Sequence, residues 1–135
     1  LSLHDALPIS YSRGVEITIE IEDTVDDFKI DLLDFIKVIS ILCDNAIESS
    51  LESEVPKLTV ALILDGESLV LIIENTTKQE KINISQIFEE GYSSKGKGRG
   101  IGLHNVSDIL AKYPFSSVAT RSADYQFSQT VIFRK

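Results

Sequence analysis

Cysteine, basic charge and long apolar runs are all scarce in this 135-residue sequence. Cys43 is the single cysteine, so no internal disulfide can form, and together with the distant His4 and His104 it makes no zinc-ligand pattern. Against 21 acidic residues stand only 13 basic ones, a net charge of -8, which argues against broad electrostatic capture of nucleic acid or of an anionic membrane. A local basic patch stays open. No apolar run approaches the ~20 residues of a membrane-spanning helix, and no basic stretch followed by an apolar segment and a cleavage site opens the chain. The expectation is a soluble, cytosolic chain with no direct membrane contact. It begins with Leu1 rather than Met, so residues 1–13 read as an unassigned leader or terminal scar. Residues 14–135 then form one domain, in keeping with 43% hydrophobic and 25% charged residues.

Along the chain the apolar period changes several times. Residues 14–22 alternate, with Val15, Ile17, Ile19 and Ile21 on one side and Glu16, Thr18, Glu20 and Glu22 on the other, which predicts a half-buried strand. From Asp31 the spacing turns helical: Leu32, Phe35, Ile36, Ile39, Cys43, Ala46 and Ile47 form a broad stripe that predicts a helix to about Leu51. Residues 57–65 and 68–75 read as strands joined through Asp65-Gly66, a hairpin signal. A short helix over 84–89, a glycine-rich loop over 90–100 and a helix over 103–112 follow. Leu103, Val106, Ile109 and Leu110 are the apolar face of that last helix, and Pro114 lies beyond its end. Two strands are expected after Ser116, the last ending in residues 130–133. This order predicts an α+β fold, a mostly antiparallel sheet covered on one face by helices.

Five of the seven glycines fall in the segment Gly91-Tyr92-Ser93-Ser94-Lys95-Gly96-Lys97-Gly98-Arg99-Gly100-Ile101-Gly102-Leu103. Alternate glycines let a backbone fold tightly and turn its N–H groups toward an anion, and the following helix adds the positive end of its dipole. Lys95, Lys97 and Arg99 add cations in an otherwise acidic chain, so the segment suits a polyphosphate. It is not a Walker loop, because Gly98 stands where Ser or Thr is required, nor a dinucleotide fingerprint, because Ile101 and Leu103 occupy the needed glycine positions. Taken alone it is also compatible with a flexible basic linker.

A second motif lies on the long helix. In Leu42-Cys43-Asp44-Asn45-Ala46-Ile47-Glu48, Asn45 falls on the shoulder of the apolar stripe, with Ile41 one turn before it and Ser49 one turn after. Its carbonyl oxygen is a candidate neutral ligand for Mg2+; an ordinary hydrogen-bonded helical amide is the other reading. Acidic residues Glu20, Glu22, Asp23, Asp26 and Asp27 read as solvated surface rather than a metal site.

Asp44-Asn45-Ala46 on a long helix, followed about fifty residues later by Phe88, Ser93-Ser94-Lys95 and Gly98-Arg99-Gly100-Ile101-Gly102-Leu103, resembles the Bergerat-fold ATP-binding domain of the GHKL superfamily. That superfamily includes gyrase, Hsp90, MutL and the sensor histidine kinases. Within it, the string from Ile87 to Val106 is most similar to peptide-pheromone (quorum-sensing) receptor histidine kinases. The resemblance covers about residues 15–134. It implies a two-layer α/β sandwich with a mixed, mostly antiparallel sheet and a glycine-rich ATP lid, and it implies ATP and Mg2+ as cofactors. By it, Asn45 would bind Mg2+; Ser94, Lys95 and the stretch Gly96, Gly98, Arg99, Gly100, Ile101, Gly102 and Leu103 would hold the triphosphate; and Phe88 would anchor the lid. Asn45 and Lys95 would be the catalytic pair. Family members carry D-x-G-x-G before the lid, with the Asp accepting a hydrogen bond from the adenine amino group. Here the strand ends Ile73-Glu74-Asn75-Thr76-Thr77, so Asn75 would take that place as an uncharged acceptor. Thr130 resembles the superfamily threonine near adenine.

The ATPases of the superfamily carry a general-base glutamate one helical turn before the magnesium asparagine; that position is Ile41 here. An aliphatic side chain cannot take a proton, which disfavours rapid hydrolysis and suits a kinase that holds its γ-phosphate for an incoming histidine. The resemblance thus implies a histidine kinase catalytic domain in the cytoplasmic part of a membrane-anchored, homodimeric receptor. It would work with a histidine-bearing dimerisation domain and a response regulator. His4-Asp5 is a poor candidate for the phosphoacceptor, because Pro8 and a strand follow too soon for a helical hairpin. A GHKL serine kinase of the anti-sigma type, and a degenerate nucleotide-sensing module, are the alternatives.

Overall fold

The computed structural model describes residues 7–12, 14–22, 30–85 and 101–134. Among these residues, two helices cover one face of a six-stranded sheet. In chain order the elements are β1 (Leu7–Ser12), β2 (Val15–Ile21), α1 (Leu32–Leu51), β3 (Lys57–Asp65), β4 (Ser68–Thr76), α2 (Ile101–Leu110), β5 (Ser116–Ala123) and β6 (Gln126–Phe133). The sheet runs β1-β2-β3-β4-β6-β5, and only β2 and β3 are parallel. A parallel pair needs a long crossover, and α1 supplies it, so the helix lies across the sheet.

Side-chain alternation follows the ladders. On β4, Leu69, Leu71 and Ile73 are buried and face Phe133, Val131 and Gln129 on β6. From α1, Phe35, Val38, Leu42 and Ala46 pack on this face together with Val106 and Leu110 of α2. Phe35 and Phe133 meet edge to face with centroids 6.0 Å apart. The buried line of α1 is therefore rotated from the sequence stripe: Leu32 and Ile36, expected inside, are about half exposed. So many α1 positions are apolar that periodicity alone does not fix which line meets the sheet.

Other elements differ from the sequence reading at their ends. β1, within the segment left unassigned, pairs antiparallel with β2, and its register slips between Pro8 and Ser10; an edge strand tolerates such a proline. The strands around Asp65-Gly66 form the expected hairpin, with Gly66 at φ +61°. Residues 84 and 85 are not helical, and the rest of the short helix expected over 84–89 lies outside the described residues. Between β5 and β6 the chain turns on Asp124 and Tyr125, both at positive φ. That is the two-residue hairpin geometry normally written with Asn-Gly, so the sequence carried no glycine to signal it. The turn is held from outside: Tyr125 N–H donates to the Glu80 carbonyl, and the Tyr125 carbonyl accepts from Thr77 N–H, both at 2.9 Å.

A polar tie joins the start of α1 to the end of α2. Asp31 caps α1 by accepting from the Leu33 and Asp34 amides. Its own N–H donates to the Tyr113 hydroxyl (3.1 Å), which in turn donates to Asp34 Oδ2 at 2.6 Å. The hydroxyl, with help from Lys112, holds the Asp34 carboxyl below its ordinary pKa. A depressed carboxylate contributes stability above the unfolded-state pKa and loses it as pH falls through the lower folded value. Tyr113→Phe should therefore lower Tm by about 4 °C at neutral pH, and the deficit relative to the parent should shrink below about pH 3.9. Thermal melts of both proteins across pH 2.5–7 would check this; a deficit that stays constant with pH would mean that the tie does not act through the carboxylate.

Candidate nucleotide-binding site

Asn45 sits in the middle of α1, half-buried between the core residues Leu42 and Ala46. The first turn of α2 crosses over it. A Cβ added to Gly102 would lie 3.0 Å from Ile41 Cγ2, 3.4 Å from Asn45 Nδ2 and 3.8 Å from Asn45 Oδ1. The last glycine of the glycine-rich segment is thus seated on the helical turn formed by Ile41 and Asn45, where any side chain would crowd them. Two motifs more than fifty residues apart meet here. Ile41 lies on the same side of α1 as Asn45, as one turn of spacing requires. Leu103 packs against the core, while His104 Nε2 stands 3.4 Å from Asp108 Oδ2 on α2. Ile101 opens α2. Phe88, Ser94, Lys95, Gly96, Gly98, Arg99 and Gly100 lie outside the described residues.

Asn75 lies near the end of β4, on the helix-covered face, and is 2% exposed. Its Nδ2 donates to the Thr76 carbonyl at 2.9 Å, leaving Oδ1 buried without a partner. The strand end is clamped: Thr76 Oγ1 accepts from Lys57 N–H and donates to the Val55 carbonyl, both at 3.0 Å, and lies 2.8 Å from Ser53 Oγ. An acceptor aimed by a fixed backbone is what the base-binding reading of Asn75 requires.

Thr130 is not brought to that face. It pairs with Ile72 and Ala119, on the opposite side of the sheet from Ile73 and Asn75. Its neighbour Gln129 takes the inward position, across from Ile73, and is 3% exposed. Gln129 Oε1 accepts from the Thr120 hydroxyl at 2.6 Å, and Nε2 has no partner. The sequence did hold a signal for it: Gln129 shares parity with Val131 and Phe133, and so is the polar residue in a buried register.

Cys43 is half-buried, and burial, with Asp44 beside it, pushes its thiol up to about 11; it is no nucleophile at neutral pH. Among the described residues no group of three His, Cys, Asp or Glu side chains is placed to hold a metal ion. The Mg2+ that the resemblance implies is compatible with this donor set, since Mg2+ keeps several waters and takes other ligands from phosphates and one or two protein oxygens. Asn45 Oδ1, beside the entry to α2, is the oxygen that would serve on that reading.

Comparison with known proteins gives the family and the fold. Residues 30–134 match the family described as the GHKL domain (HATPase_c_5), and the chain belongs to that family. Over 84 residues, 60% of this chain, it is 39% identical to the Sensor protein CitS of Bacillus subtilis (strain 168). That match spans 15% of CitS. Among solved structures, Acinetobacter baumannii histidine kinase AdeS is similar with a TM-score of 0.66 and 18% identity, over 87% of this chain and 54% of that one. The mycobacterial sensor histidine kinase MprB gives a TM-score of 0.66 and 19% identity, over 87% of this chain and 80% of that one. The fold is that of sensor histidine kinase catalytic domains. Among the described residues no helix is long and apolar enough to cross a membrane.

Proposed function

We propose that this chain is the ATP-binding catalytic domain of a sensor histidine kinase, and that it delivers the γ-phosphoryl group of ATP to a histidine on a separate dimerisation domain. The observation that carries the reading is the seating of Gly102 on Ile41 and Asn45. It joins the glycine-rich segment to an amide suited to Mg2+ and leaves an aliphatic residue where a hydrolase would need a base. A neutral imidazole nitrogen attacks the γ-phosphorus in line; the new N–P bond forms as the bond to the β,γ-bridging oxygen breaks, ADP leaves, and the imidazole loses its proton. The protein contributes position and charge compensation. On this reading Asn75 would accept from the base, Lys95 and the glycine-rich backbone would hold the phosphates, and Asn45 would offer its oxygen to the cation. Mg2+, when bound, neutralises phosphate charge.

The phosphohistidine then supplies an aspartate of a response regulator, and the whole receptor works as a membrane-anchored homodimer. The peptide-pheromone subtype rests on the string from Ile87 to Val106. The test is titration with a non-hydrolysable ATP analogue, with and without Mg2+, followed by amide NMR. Mg2+-dependent shifts at Asn45, Asn75 and residues 95–103 are expected. No shift at millimolar analogue would overturn the reading in favour of a degenerate interaction module.

A further inference from the structure

Among the described residues, two buried side-chain atoms lack a hydrogen-bond partner, and both are amide atoms on the same face of the sheet: Asn75 Oδ1 and Gln129 Nε2. Native interiors seldom leave such atoms unpaired, because each has given up water without a replacement. Asn75 pairs with Phe127 and Gln129 with Ile73, so the two amides are diagonal neighbours on adjacent strands, with Cβ atoms about 7 Å apart. Both ends can reach one bound ring.

The half of each amide that is already bonded sets what the other half presents. Asn75 uses its NH2 group on the Thr76 carbonyl, which can only accept, so it offers an oxygen. Gln129 accepts from the Thr120 hydroxyl through its oxygen and in that orientation presents N–H. The result is an acceptor, fixed by the Thr76 carbonyl, beside a donor. An adenine edge presents the complement, an amino group flanked by a ring nitrogen acceptor at position 1 or 7. Guanine and hypoxanthine instead present an oxygen at position 6, which would oppose the Asn75 oxygen. Two neutral amides in a buried site discriminate well: the wrong base leaves the Asn75 oxygen unpaired, and the Gln129 N–H as well where position 1 is the nitrogen read.

We infer that Gln129 is a specificity-determining residue that donates to a ring nitrogen of adenine next to the amino group read by Asn75. The inference deepens the ATP reading and rests on it. It replaces a single base contact by a two-point amide readout spanning β4 and β6, with Thr120 as a positioning residue that orients Gln129.

The test is calorimetric titration of the chain with ATP, 1-deaza-ATP, 7-deaza-ATP and ITP, on the parent and on Gln129→Met, with thermal melts to establish that the variant is folded. On the parent, one of the two deaza analogues should bind about 10-fold more weakly than ATP, and ITP more weakly still. In Gln129→Met, ATP and that deaza analogue should bind alike, while the penalty against ITP at Asn75 persists. A purely structural role for Gln129 would weaken every nucleotide equally and leave the ratios unchanged. If both deaza analogues bound the parent as tightly as ATP, the Gln129 contact would be overturned with the ATP reading intact, whether or not the variant folds. A deaza penalty that survived in Gln129→Met would likewise overturn it. Failure of the parent to bind ATP at all would overturn both.

Discussion

Asn45→Ala should weaken Mg-ATP binding by roughly 100-fold, about 2.7 kcal/mol, while leaving the fold intact. The size follows from the role: Asn45 would give the cation its protein oxygen, at the point where α2 enters against α1, and the phosphates would supply much of the remaining shell. The fold is spared because Asn45 lies outside the buried core cluster and alanine is the best helix former. Calorimetry with and without Mg2+ checks the claim. The parent should gain affinity on adding Mg2+; the variant should gain almost nothing, and a chelator should bring the parent close to the variant. Equal affinity and equal Mg2+ dependence in the two proteins would remove Asn45 from the metal site.

What the sequence made legible divides by the kind of signal each residue leaves. β3 and the start of β4 were readable from alternation and from Asp65-Gly66, because period and turn chemistry are local. The meeting of Gly102 with Asn45 could be suspected from two motifs but not located, since it depends on how α2 crosses α1. The final strand shows a different limit. Resemblance pointed to Thr130, but facing is set by ladder register, and a shift of one position reverses the side; pairing with Ile73 brings Gln129 inward instead. β1 was missed because Pro8 argues against a strand unless it is known to sit at an edge. The Asp124-Tyr125 turn was missed because its positive φ values are imposed on residues that rarely adopt them, with residues 77–80 bracing the backbone from outside.

Ile41→Glu should raise phosphate release from Mg-ATP by about 100-fold, the lower end of what a positioned general base contributes. Residue 41 lies one turn before Asn45, and its Cγ2 reaches the spot beside Gly102 where α2 begins. A carboxylate there would stand near the phosphate-facing end of α2, within reach of a water next to the γ-phosphate. Partial burial would raise its pKa, which improves a base working near neutral pH, and the positive end of the α2 dipole would offset part of the cost of the charge. ATP affinity should change by only a few fold, because Ile41 approaches the backbone at Gly102, which on the proposed reading would frame the nucleotide, rather than the nucleotide itself. The measurement is phosphate release at saturating Mg-ATP, with binding of a non-hydrolysable analogue measured in parallel. A rise in release at unchanged affinity would mean that one aliphatic side chain keeps the γ-phosphate for a histidine. Unchanged release with binding retained would place the attacking water away from residue 41, and the preference for transfer over hydrolysis would then have to come from the lid or from the exclusion of water when the histidine-bearing domain docks.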